Sequence, residues 1–320
     1  MNVLSLFDGI SCGRVALERA GIKVDKYYAS EVDKGAMLVT KTNYPDTIFI
    51  GDVREVKASE LPEIDLFIGG SPCTNLSTAG KKNGMITKDK KLVKSLDMYI
   101  SYKEKGYEFD GYSYLFWEYV RLLKEVKPKY FLLENVHMKK EWEELITKEL
   151  GVEPIVINSS LVSAQNRVRY YWTNIPVKGQ PEDKGIKLSD ILEDFTYTNK
   201  GTIIGRRLNK DGHREDYNKE IPIVQCLEVR ASNTDKSNCL TRVEKDNVLT
   251  SLPIGRHKDA YGMISGKRLP FRHYTRLEYE RLQTLSDGYT NVLSESSAKK
   301  AIGNAWTVDV ISFIFSFIKE

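Results

Sequence analysis

Along residues 1–175, short apolar runs alternate with stretches whose apolar positions recur at helical spacing. Val3 to Phe7 reads as a strand, and Val15, Ala16, Leu17 and Ala20 place a helix over Cys12 to Ala20. Lys26 to Ser30 predicts a second strand, Lys34 to Thr42 a helix and Thr47 to Ile50 a third strand. Ile64 to Ile68 is a continuous apolar run that ends at Gly69-Gly70, the pattern of a strand covered on both faces. Leu115, Tyr119, Leu122 and Val126 follow at spacings of four, three and four, a helix stopped by Pro128. Tyr130 to Leu133, Ile155 to Asn158 and Tyr170 to Thr173 supply three more strands. Such alternation predicts an α/β fold with a mostly parallel sheet and right-handed crossovers.

After Pro176 the alternation is lost. Residues 178–270 hold scattered β-like runs, many charges, and glycines at 201, 205, 212, 255, 262 and 266, as a separate small domain would. Helical spacing returns over Thr275 to Thr284 and Ala305 to Phe317. Amphipathicity gives the last helix a buried face without naming its partner.

Composition narrows the picture only in places. The net charge of the 320 residues is +4, but residues 200–275 carry fifteen Lys or Arg against nine Asp or Glu, as a lobe that meets a polyanion needs. A solvated, charge-rich loop region gives the same count. Residues 81–94 hold six lysines against the single acid Asp89. Val308 to Ile318 is broken by Asp309, Ser312 and Ser316 and is shorter than the roughly 20 residues a bilayer span needs. With no basic-flanked leader at Met1 to Phe7, the expected location is the cytoplasm. Cys12, Cys73, Cys226 and Cys239 show none of the short spacings of a zinc site, so neither metal nor disulfides are expected.

Candidate chemistry gathers at the strand ends. Phe7-Asp8-Gly9-Ile10-Ser11-Cys12-Gly13 joins the first strand to the first helix, with small residues that let a ligand approach free helix N–H groups. Glu31 ends the second strand, where an acid can accept from a ribose diol, and Asp52 ends the third, where it could meet an adenine amine. Together the three strand ends suit an adenosine-type ligand. Cys73, in Gly69-Gly70-Ser71-Pro72-Cys73, lies just beyond a buried strand, where open α/β sheets place their ligands. A lone cysteine is also a common small buried hydrophobe. Glu134-Asn135 leaves the next apolar strand, and Arg167 and Arg169 share a face if Gln165 to Arg169 is extended.

In the order and spacing of these motifs the chain resembles the cytosine carbon-5 DNA methyltransferases over nearly its whole length. The resemblance rests on Phe7-Asp8-Gly9-Ile10, the Ser-Pro-Cys loop at Cys73, Glu134-Asn135-Val136 and Gln165-Asn166-Arg167-Val168-Arg169. It continues through Arg276-Leu277-Glu278-Tyr279-Glu280-Arg281-Leu282-Gln283 and Gly303-Asn304. Phe131 to Val136 and Asn166 to Trp172 look most like the vertebrate de novo branch, whereas the compact length looks bacterial or phage. The chain departs from many bacterial members in Thr74-Asn75-Leu76-Ser77 after the cysteine, in the long stretch from Gly80 to Gly111, and in Trp306.

The resemblance implies a Rossmann-like, S-adenosylmethionine-dependent catalytic domain over residues 1–177, a target-recognition domain over 178–270, and a return to the catalytic domain over 271–320. It implies that Cys73 attacks carbon 6 of a cytosine flipped out of double-stranded DNA while Glu134 holds ring nitrogen 3 and the exocyclic amine. Arg169 would contact the base carbonyl, with Arg167 in support. Phe7, Asp8, Gly9, Ile10, Glu31, Val32, Asp52, Val53, Pro72, Asn304 and Trp306 would line the cofactor site, with Phe7 stacked on adenine and Asn304 against the methionine part. A monomer acting on DNA is expected, with a restriction-modification context and the partner nuclease left open. Two other readings remain: a transfer-RNA cytosine-5 methyltransferase of the same fold, disfavoured by the large 178–270 segment, and an inactive DNA-binding relative. The joint presence of Cys73, Glu134, Arg167 and Arg169 disfavours the second.

Overall fold

Val3, Leu4 and Leu6 are fully buried in β1 (Asn2–Leu6), which becomes an interior strand of the larger sheet. The computed structural model describes residues 1–72, 84–230 and 235–319. Beside β1 lie β2 (Lys26–Ser30) and β3 (Ile48–Phe49) on one side, then β4 (Leu66–Gly69) and β7 (Tyr130–Val136) on the other, all parallel. The sheet closes with β9 (Val168–Thr173), antiparallel to both β7 and β8 (Pro154–Asn158), giving the order β3-β2-β1-β4-β7-β9-β8. The chain winds outward from β1 to β3 and then returns to the far side of β1 as β4. That reversal opens a crevice beyond the carboxyl ends of β1 and β4.

The crossovers follow their periodicity. Helix α1 (Cys12–Arg19) buries Val15, Ala16 and Leu17, and α2 (Lys34–Asn43) begins at Asp33, whose side chain accepts from the N–H groups of Gly35 and Ala36 (2.9 and 3.0 Å). Between β4 and β7 come the short strands β5 (Ile86–Thr87) and β6 (Phe109–Asp110), paired antiparallel, with α3 (Leu96–Glu104) between them. The described residues of the long stretch from Gly80 to Gly111 thus hold two short strands and a helix. Its lysines are partly matched: Lys88 meets Glu108 at 2.6 Å, Lys90 meets Asp110 at 3.6 Å and Lys91 meets Asp89 at 3.3 Å. Helix α4 (Phe116–Val126) ends at Lys127 in the left-handed region, directly before Pro128. Helix α5 (Lys140–Leu150) packs Trp142, Ile146 and Leu150, four residues apart, into the core that Trp117, Tyr119 and Trp172 also fill.

The chain forms two compact units. The first comprises Met1–Asn158, Val168–Glu182 and Trp306–Glu320, and the second Ser159–Arg167 and Asp183–Ala305. The second unit is built on a five-stranded antiparallel sheet of β10 (Asn199–Arg207), β11 (Ile223–Val229), β12 (Val248–Thr250), β13 (Gly255–His257) and β14 (Phe271–His273), in the order β13-β11-β10-β12-β14. Helices α6 (Arg276–Leu282) and α7 (Glu295–Asn304) complete it. Residues 271–305 fall within this unit. Ser163 and Gln165 side chains donate to the Leu282 carbonyl (2.6 Å each), tying α6 to the 159–167 segment. Only the final helix, α8 (Val308–Phe315), belongs to the first unit, where it packs on α1 and Asp309 meets Arg19 at 2.6 Å. No helix of the described residues is long and apolar enough to cross a membrane.

Candidate active site

Three left-handed residues, Phe7, Gly9 and Ser11, shape the turn from β1 into α1. Glu31, at the end of β2, braces that turn: its Oε2 accepts from the Gly9 N–H (2.8 Å) and its Oε1 from the N–H groups of Val32 and Asp33 (2.7 and 2.8 Å). Carboxylate oxygens accept two hydrogen bonds each, so acceptor capacity for a diol remains on Oε2. A side chain at Gly9 would meet nothing within 4 Å, so open space lies before the turn. Asp8 accepts from Ser11 Oγ (2.5 Å) and Tyr27 OH (2.7 Å), yet burial pushes its carboxyl up to about 6, helped by the Glu31 charge. Asp52, past β3, is gripped by the Arg54 guanidinium (2.5–3.1 Å), which holds its carboxyl below the usual range. Val53 and Ile10 are buried, Phe7 packs partly against the core, and Val32 is 66% exposed, so its side chain offers little packing.

At the ends of β4 and β7 the geometry tightens. Glu134 is 9% exposed, with Arg169 Nε 3.0 Å from its Oε1 and Trp306 Nε1 donating to its Oε2 at 3.1 Å. Arg169 reaches it from β9, where it lies opposite Val136 in the antiparallel register. Asn135 Nδ2 donates to the Ser71 carbonyl and Oγ (3.2 and 3.1 Å), pinning Ser71 to β7. The expected nucleophile Cys73, and Thr74 to Asn83 after it, lie outside the described residues.

Glu134, Arg169 and Trp306 are thus brought together. Arg167 precedes β9. It is 4% exposed in the second unit and donates to the carbonyls of Leu240 (3.2 Å) and Ala305 (2.9 Å). Arg169 stands on β9, and Arg167 directly precedes that strand, its carbonyl accepting from the Ser159 N–H at 3.0 Å. Asn304 closes α7 in the second unit with an exposed side chain. Sequence reasoning missed the tether from Asn135 to Ser71, although Asn135 follows the acid directly. It also missed that Gly70 makes room for the Trp306–Glu134 contact: a Cβ there would stand 2.9 Å from Trp306 Nε1 and 3.1 Å from Glu134 Oε2.

The model of the C-5 cytosine-specific DNA methylases matches residues 1–104 and 97–320. The chain belongs to that family. Among curated relatives, the orphan methyltransferase M.SPRI of Bacillus phage SPR is 31% identical over 209 residues, covering 60% of this chain and 42% of the relative. The type II methyltransferase M.NgoBV of Neisseria gonorrhoeae is 29% identical over 248 residues, covering 69% and 53%. The chain thus spans about half the length of these relatives. The type II methyltransferase M1.ScrFI of Lactococcus lactis subsp. cremoris is 27% identical across 98% of this chain and 76% of its own. Two solved structures share the fold: a Spodoptera frugiperda DNMT2 mutant (TM-score 0.63, 18% identity, 99% of this chain and 98% of that one) and Entamoeba histolytica EhMeth (0.63, 15%, 100% and 99%).

Membership of the C-5 cytosine-specific methylases carries dependence on S-adenosylmethionine as methyl donor. The donor set in the β1–β2–β3 crevice fits such a group, with a carboxylate at the end of β2, a glycine turn facing open space and a second carboxylate past β3. The second unit carries its own concavity of about 640 Å³, lined by Lys200, Thr202, Glu228, Arg230 and Asn238 among others.

Proposed function

We propose that this chain transfers a methyl group from S-adenosylmethionine to carbon 5 of cytosine in duplex DNA. The observation that carries the reading is the Glu134 carboxylate, held between Arg169 and Trp306 beside the Ser71-Pro72 segment that leads into Cys73. In this reading the arrangement is a base pocket, which the family membership supports. The Cys73 thiolate sulfur bonds to carbon 6 of the flipped base while Glu134, holding the exocyclic amine, passes a proton to ring nitrogen 3, which neutralises the negative charge that builds on the ring as the bond forms. The bound cofactor supplies an electrophilic sulfonium methyl to carbon 5. Loss of the carbon-5 proton and departure of Cys73 then restore the ring. Flipping is required because these atoms are inaccessible in a stacked duplex.

For the cofactor, Glu31 takes the ribose hydroxyls, Asp52 and Val53 the adenine edge and Phe7 the adenine face. Asp8, Gly9, Ile10, Val32, Pro72 and Trp306 complete the site in this reading. We assign target reading to the 178–270 segment, which its basic balance supports. The chain acts as a monomer on DNA. Arg167 serves by holding the Leu240 and Ala305 carbonyls, and only Arg169 faces the base.

The test is bisulfite sequencing of duplex DNA incubated with the protein and S-adenosylmethionine, with Cys73→Ala in parallel. The parent should mark cytosines in a defined word, the variant none, and 5-fluorocytosine duplex should trap the parent covalently. Turnover by Cys73→Ala near the parental rate sinks the mechanism; methylation of transfer RNA but not duplex DNA sinks the substrate.

A further inference from the structure

The indole of Trp306 does more than line a cofactor site. Its six-membered ring lies against the start of α1, where a Cβ at Gly13 would come within 3.5 Å of Cζ3. Its N–H reaches Glu134 Oε2 at 3.1 Å, passing over Gly70 with no room for a methyl group. On the other oxygen sits Arg169 Nε at 3.0 Å. An indole N–H and a guanidinium are donors only. The indole therefore occupies one lone-pair direction of Oε2 and forbids a proton there, while the Arg169 cation beside Oε1 disfavours a proton on its own side.

We propose that Trp306 is a positioning residue that fixes the rotation of the Glu134 carboxylate, so that any proton Glu134 carries points away from Trp306 and Arg169, toward the base. The proposal rests on the catalytic reading of Glu134 above. Trp306 is contributed by a chain segment 172 residues beyond Glu134, so the orientation of the acid depends on the return of the carboxyl-terminal segment to the first unit. A phenylalanine at 306 could fill part of the space but could not hold the carboxylate. Gly70 is the second requirement, because a side chain there would enter the gap between donor and acceptor.

The test replaces Trp306 in the full chain with β-(3-benzothienyl)alanine, which keeps the shape of the ring but carries sulfur in place of N–H. Gly70→Ala supplies an independent perturbation of the same bond. The single-turnover rate of methyl transfer should fall roughly 10- to 100-fold in both, the worth of one hydrogen bond to a charged acceptor. Dissociation constants for S-adenosylmethionine and duplex DNA should stay within about threefold for the isostere, since its shape is unchanged. In a Glu134→Gln background the isostere should cost little more, because the two residues act as one unit. An undiminished rate in the isostere overturns the proposal. So does a rate restored by saturating cofactor, or an equal loss in the Glu134→Gln background, because Trp306 would then act through something other than Glu134. A near-parental rate in Glu134→Gln alone is a different failure, one that overturns the catalytic reading itself.

Discussion

Glu228→Gln would remove one charge from the most densely paired carboxylate of the second unit. Glu228 lies on β11 directly opposite Arg256 of β13, and its side chain is 7% exposed. Its Oε1 meets Arg206 Nε at 2.8 Å and Arg256 Nε at 3.1 Å, and its Oε2 meets Arg230 Nη2 at 2.8 Å. The Arg206 hydrogen bond, ahead of those from Arg230 and Arg256, lowers the carboxyl from 4.5 to about 2. Because the folded value is depressed, the stabilisation is present above the unfolded value and is lost as pH falls toward the folded one. Full ionisation corresponds to about 3 kcal/mol at pH 7 and about 2 kcal/mol at pH 3.5. The glutamine variant cannot titrate, so the gap between parent and variant should shrink by about 1 kcal/mol over that range. All four tryptophans, Trp117, Trp142, Trp172 and Trp306, lie in the first unit, so their fluorescence is the wrong reporter. Hydrogen exchange of peptides covering β10 and β11, measured at both pH values, is the suitable assay. Equal protection in the two proteins, or a gap that stays constant with pH, would refute the electrostatic account.

Asp8→Asn should flatten part of the pH dependence of the cofactor-free protein. The folded value of about 6 lies above the unfolded one, so the stability held by protonated Asp8 is lost as pH rises through 6, and melting temperature against pH for parent and variant reads the difference. Gly303→Ala should destabilise the second unit by about 1 kcal/mol or more, because the new Cβ would fall 2.3 Å from the Thr241 carbonyl oxygen; exchange at α7 measures it. Neutralising Lys81 and Lys82 should each lower the log–log salt slope of duplex binding by roughly one unit, whereas Lys88, already 2.6 Å from Glu108, should lower it by less. An unchanged slope would make those lysines surface residues only.

Sequence alone determined the α/β scheme of the first unit, because apolar runs such as Ile64 to Ile68 and the spacing of Leu115, Tyr119, Leu122 and Val126 obey the local periods of strand and helix. It also marked the strand ends where Gly9, Glu31 and Glu134 stand, since the crevice of such a sheet lies at those ends. Helix α7 is less legible: few apolar positions mark it, and packing against neighbours supplies the rest. Tertiary structure decided what depends on contacts between distant residues. The reversed direction of β9 set Arg169 on Glu134, and the break at Asn158 and Val168 sent Arg167 to the Leu240 and Ala305 carbonyls. Trp306 met Glu134 only once α8 had packed on α1. Periodicity fixes which face of an element is buried; which partner covers that face is chosen by shape and pairing across the whole chain, and no local pattern carries that information.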